Sequence, residues 1–203
     1  HSAHGYLLDQ FLWAETNRRE DEYGGPTLAE RARYCAQIVA AIRKALGADA
    51  VISYRFSQFK EVDYGAAVAD SPEDLRRMLQ LLRTAGVDMF NVSSRRYHKR
   101  EWPESEHPDY TIAEWARSLT DAPVMTCGSV GLDVEMFANL FDDQEPSELS
   151  VERDLRFLAE RVRRGTLDLV GVGRTHIANN DFVNKVRDGR FRELELFRKR
   201  VHL

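Results

Sequence analysis

Apolar residues in this chain recur with two alternating rhythms. Leu28, Ala32, Cys35, Ile38, Val39 and Ile42 fall three and four apart, the spacing of one helical face, and Gly47 ends the run. Thr27 opens it with Glu30 three residues on, a pairing in which each side chain caps the other's backbone. The β-branched and aromatic run from Ala50 to Phe56 then predicts a buried strand. A polar stretch leads to Ser71-Pro72-Glu73-Asp74, where Pro in the first turn and acids beside it favour a helix start. That helix turns Leu75, Met78, Leu79 and Leu82 inward and stops at Gly86. Asp88 to Ser93 is the next strand, Ile112 to Leu119 a short helix, and Pro123 to Cys127 a strand entered through proline. A long helix is expected from Val151 to Arg164, with Ser150 as its cap and Arg153 and Arg161 to Arg164 exposed. Leu167 to Val172 is the last strand, and Asp181 to Arg187 returns to helix.

Strand and helix therefore alternate at regular intervals, the pattern of a parallel sheet with helical crossovers. The class is α/β, and residues 1–203 form one domain, with no low-complexity segment or linker. Four strands are visible, whereas a closed (β/α)8 barrel needs eight strands and about 250 residues. A partial barrel would expose strand edges and an apolar inner face, so self-association into a homo-oligomer is an expectation.

Composition narrows the partners. A formal charge of −4 gives no electrostatic reason to expect nucleic acid or an anionic membrane. No apolar run approaches the length that spans a bilayer. Two cysteines, Cys35 and Cys127, are too few for a disulfide framework, which makes buried thiols and the reducing cytosol the expectation.

The chemistry gathers first in His1-Ser2-Ala3-His4-Gly5-Tyr6. Two imidazoles and a phenol in one short turn can hold an electronegative oxygen and protonate a neighbouring carbon. A His pair in a loop can equally be solvated without any role, and His-x-x-His also occurs in metal sites, though no third ligand at suitable spacing is evident and no metal is expected. The chain also opens on His inside this motif, which suggests the later part of a longer enzyme.

The run continues through Leu7-Leu8-Asp9-Gln10-Phe11-Leu12, Thr16-Asn17-Arg18-Arg19 and Asp21-Glu22-Tyr23-Gly24-Gly25. Over this length it closely resembles the Old Yellow Enzyme family of flavin-dependent ene-reductases. The resemblance covers nearly the whole chain and implies the C-terminal half of a TIM (β/α)8 barrel, from the mouth of strand four through strands five to eight. It implies that His1 and His4 grip the carbonyl or nitro oxygen of the substrate and that Tyr6 delivers a proton.

Active sites of such barrels lie at the C-terminal ends of the strands. Arg55, inside an apolar strand, needs an anion or several acceptors, and a structural salt bridge answers that need equally well. The Arg-Phe-Ser-Gln run at 55–58 resembles the family's strand five, which implies a place for Arg55 beside the flavin. Ser93-Ser94-Arg95-Arg96-Tyr97 resembles a segment bordering the family's cavity, and Tyr97 is the candidate for lining it. Gly128-Ser129 and Gly173-Arg174 follow the last two strands, where barrels commonly build a phosphate site. The resemblance assigns all four to the phosphate of flavin mononucleotide.

The implied activity is an NAD(P)H oxidoreductase using flavin mononucleotide. NADH or NADPH supplies electrons, hydride passes to the β-carbon of an enone or nitroalkene, and Tyr6 protonates the α-carbon. Two other readings stand beside it. One is a phosphate-binding aldolase or isomerase barrel, which leaves the opening motif unexplained and shows no evident Schiff-base lysine. The other is a flavin-free fragment with no activity of its own.

Overall fold

In a computed structural model the described residues are 1–142 and 144–202. Among them, five parallel strands form one sheet in the order in which they occur: β1 (Ser2–His4), β2 (Ser53–Lys60), β3 (Met89–Ser93), β4 (Val124–Cys127) and β5 (Leu169–Gly171). A doubly wound sheet reverses its strand order at a switch point. Here every neighbour in space is the next in sequence, so the sheet is an arc of a singly wound barrel.

The crossovers are helical. After a short α1 (Leu7–Leu12), α2 (Leu28–Arg31) and α3 (Arg33–Leu46) lead from β1 to β2. α4 (Pro72–Ala85), α5 (Ile112–Leu119), and the pair α6 (Met136–Leu140) and α7 (Val151–Arg163) make the next three. α8 (Arg174–Ala178), α9 (Phe182–Arg187), a 3-10 turn at Phe191–Glu193 and α10 (Lys199–His202) follow β5.

Capping explains where several helices begin. Thr27 and Glu30 bond each other's backbone at α2, and Thr111 and Glu114 do the same at α5. Ser71 accepts the Asp74 N–H at α4, and Gly86 ends that helix in the left-handed region. Tyr54, Phe56, Phe90, Val92 and Val124 alternate along three strands and meet Leu75, Met78, Leu79, Leu82, Trp115 and Leu158 of the helices in one buried core.

The structure corrects several boundaries. The helix expected from Leu28 is two segments, breaking at Ala32. β2 starts at Ser53 and runs on to Lys60, because Ser57, Gln58 and Lys60 are buried with polar partners rather than looped into solvent. β1 and α1 are elements that the apolar spacing does not predict. Ser150 stands at the start of α7, but its hydroxyl donates to the Asp154 carboxylate at 2.8 Å and caps no backbone N–H. Arg161 is not a solvated residue: it pairs with Glu114 at 3.4 Å and lies 3.5 Å over the Phe157 ring. Both cysteines are free, Cys35 buried and Cys127 partly exposed. No helix among the described residues is long and apolar enough to cross a membrane.

Candidate active site

The strands aim their C-terminal ends at a cavity of about 300 Å³ lined by His4, Arg55, Asn91, Ser93, Cys127, Gly128, Ser129, Gly173 and Arg174, among others. Period-two alternation explains its chemistry. The residues between the core-facing aromatics, Arg55 on β2, Asn91 on β3 and Met125 on β4, are paired side by side across the sheet. They present the opposite face.

His4 ends β1 in the left-handed region at φ 65°, and Gly5 follows at φ 89°. Such a backbone is uncommon outside glycine, with His among the residues that tolerate it better. Bonds from other elements hold it: the His4 N–H donates to Ser57 Oγ at 2.8 Å, and Nε2 lies 2.9 Å from Ser93 Oγ. Burial, with the positive charges of Arg55 and Lys60, lowers the imidazole to about 4, so His4 is neutral at neutral pH. Arg55 Nη2 donates to the same Ser93 oxygen at 2.7 Å. Ser93 then has one proton to give, and giving it to Nε2 makes that nitrogen the acceptor and Nδ1–H the donor of the neutral ring. Nδ1 of His4 and Nε of Arg55 are both buried without a protein partner among the described residues.

His1 is exposed beside this ring, 5.9 Å from His4 and 5.6 Å from Tyr6 between ring centres. Tyr6 is 56% exposed, and its hydroxyl donates to Glu61 Oε2 at 3.4 Å, a carboxylate on the cavity rim. The turn thus gathers all three groups, with His4 inside the cavity and the other two at its edge.

At the far end of the sheet, Gly128 sits at φ 154°, and a Cβ there would lie 2.4 Å from the Ser94 carbonyl oxygen. A Cβ on Gly173 would meet nothing within 4 Å, so its backbone is open to approach. Ser129 is at φ 53°, and its hydroxyl donates to the Arg95 carbonyl at 3.2 Å. Arg174 donates to Ser129 Oγ at 3.2 Å, to the Val134 carbonyl at 2.7 Å and to Asn139 Oδ1 at 3.0 Å. Burial, with Arg96 nearby, lowers this guanidinium to about 10, which leaves it a cation at neutral pH. It braces the segment from Ser129 to Asn139, including the start of α6, and lines the cavity at the same time.

Tyr97 lies elsewhere. Its ring packs on Phe157 at 5.7 Å in a separate cavity with Asp154 and Arg161, while its N–H donates to the Gly128 carbonyl at 3.0 Å. Burial raises its phenol, with the Asp154 charge adding to the effect. Sequence reasoning gave no site role to Asn91, Ser93, Cys127 or Glu61 individually. Alternation would have found Asn91 and Cys127, which share the face of Arg55, but Glu61 and the bridging role of Ser93 depend on register. Among the described residues no three His, Cys, Asp or Glu side chains converge as a metal site.

A flavin nucleotide fits this donor set. The unpartnered Arg55 Nε answers a flavin's electron-rich carbonyl edge, and the open backbone at Gly173 with the Arg174 cation answers a phosphate.

Known proteins share this fold. The chain is 30% identical over 201 residues to a "NADH oxidase" of Thermoanaerobacter brockii, covering 96% of this chain and 26% of that protein. It is 27% identical over 210 residues to a "Cinnamate reductase" of Clostridium sporogenes, covering 94% and 28%. Among solved structures, morphinone reductase in complex with tetrahydroNAD superposes with a TM-score of 0.68 at 24% identity, over all of this chain and 45% of that one. The chain thus spans about a quarter of those relatives and just under half of that barrel. The Old Yellow Enzyme resemblance and the partial barrel both hold. The model of the NADH:flavin oxidoreductase / NADH oxidase family matches residues 1–146, and the chain belongs to that family.

Proposed function

We propose that this chain carries the substrate-gripping half of a cytoplasmic NAD(P)H oxidoreductase that uses flavin mononucleotide to reduce activated C=C bonds of α,β-unsaturated carbonyl or nitro compounds. The observation that carries the reading is the convergence of His4 and Arg55 on Ser93 inside a cavity whose other end offers Gly173 and Arg174. When bound, the flavin supplies a hydride drawn from NADH or NADPH.

The chain's own residues do the rest. His4, neutral and supported by Ser93, donates to the substrate oxygen together with His1 and stabilises the negative charge that develops there. Tyr6, at the rim, delivers a proton to the α-carbon. Arg55 would place positive charge beside the flavin's electron-rich carbonyl edge, and Gly128, Ser129, Gly173 and Arg174 would hold the phosphate.

A buried lysine at a strand end, Lys60, invites a Schiff-base reading. Its ammonium is joined to Asp9, however, and it does not line the cavity.

Flavin binding is the direct test. Titrating the chain with flavin mononucleotide and with riboflavin, followed by flavin fluorescence, should show the phosphate strengthening binding at least about tenfold. Binding of neither, or of both equally, would sink the reading. Tyr6→Phe should slow enone reduction about a hundredfold and leave flavin reduction by NAD(P)H nearly intact.

A further inference from the structure

The turn that carries His1, His4 and Tyr6 is held by an ion pair with no access to solvent. Lys60 ends β2 and Asp9 lies in α1; both side chains have 0% exposure, and the ammonium donates to Asp9 Oδ2. The same oxygen accepts the Gly5 N–H at 2.7 Å. Gly5 is the residue between His4 and Tyr6, so this bond reaches the middle of the turn. Backbone register puts the pair next to it: His4 faces Lys60 across the parallel strands, and the Glu61 N–H donates to the His4 carbonyl at 3.2 Å.

Apolar residues of similar volume would fill that space without the desolvation that two buried charges suffer. What they would not supply is an acceptor for the Gly5 amide. A non-glycine residue at positive φ, as His4 is, persists only where surrounding bonds over-determine it. The pair supplies such a bond at Gly5, the residue next to the strained His4.

We propose that Asp9 and Lys60 are positioning residues that fix the Gly5 amide, set the placement of His4 relative to Tyr6, and thereby govern substrate affinity without touching substrate. Neither side chain lines the cavity. The inference rests on the proposed role of the turn in gripping a substrate oxygen. Lys60 has a second influence on the same site, since its charge, after burial and Arg55, helps keep His4 neutral. Burial itself lowers Lys60 and raises Asp9, each opposed by the other's charge.

Two variants test this. Asp9→Leu combined with Lys60→Met keeps the volume and removes both charges; Asp9→Asn keeps the shape and a weaker acceptor. Amide exchange at Gly5 and imidazole titration of His4, followed by NMR on the 15N-labelled chain, need neither cofactor nor turnover. In the double variant Gly5 should exchange at least about tenfold faster and His4 should titrate above about 4, with Asp9→Asn intermediate at Gly5. In the flavin-loaded protein the double variant should raise the enone KM about tenfold and change flavin reduction by NAD(P)H less than about twofold.

Gly5 exchange as in the wild type, in either variant, would overturn the proposal. So would an unchanged KM in a folded double variant of an active protein. Faster Gly5 exchange in the variants with no enone turnover in the wild type would support the clamp and count against the proposed activity, so the two failures are told apart.

Discussion

The two faces of the sheet are built from alternate residues of the same strands and do opposite work. One face carries Tyr54, Phe56, Phe90, Val92 and Val124, all buried against helices. The other carries Arg55, Asn91, Met125, Cys127 and Gly171 into the cavity. Only the pleat separates a residue whose loss unfolds the chain from one whose loss empties the site. Stability and chemistry are thus spatially close yet energetically separable.

Breaking the packed face should give the largest effect. Phe90→Ala, fully buried and edge-on to both Tyr54 and Phe56, should cost about 3–5 kcal/mol in urea denaturation. Gly128→Val should cost about 1–3 kcal/mol and weaken flavin mononucleotide binding as well, because a Cβ has no room beneath the Ser94 carbonyl. Arg55→Met should reverse the balance. Stability should change by less than about 1 kcal/mol, while flavin affinity should fall at least about tenfold in a fluorescence titration.

A pH dependence probes the cavity face without a substitution. His4 titrates at about 4 in the folded chain, below the ordinary histidine value of 6.5, so the unfolded chain binds the proton first as pH falls. Its contribution to stability is complete above pH 6.5 and is lost on acidification towards about 4. Unfolding in that window should take up about one extra proton, and His4→Asn should remove that uptake.

The comparison of faces also shows how much the sequence reveals. Apolar spacing locates β3, β4 and the helices α4, α5 and α7 to within a residue or two, because their buried positions are apolar. The end of β2 escapes the same reading. Ser57, Gln58 and Lys60 are buried, but their partners are His4, Ala69 and Asp9, supplied by separate segments. No local pattern records that compensation.

The site divides in the same way. Gly128, Ser129, Gly173 and Arg174 follow visible strands and arrive together in the cavity. Tyr97 follows a strand too, yet the bond from its N–H to the Gly128 carbonyl and its packing on Phe157 take the ring into another pocket. Arg174 reaches the cavity already bonded to the loop it braces, a dual role that residue type alone does not disclose.

The left-handed backbone at His4 limits which sequences can inhabit this turn at all. A side chain there must satisfy a steric filter before any chemical one, and β-branched residues fail it regardless of polarity. A saturation library at position 4, sorted only for folded protein, should therefore return Asn, Asp and Gly well ahead of Val, Ile and Thr. Asn alone of the favoured three keeps a neutral side-chain donor, so the filters for folding and for gripping an oxygen overlap on very few residues. The backbone has narrowed the alphabet before catalysis selects from it.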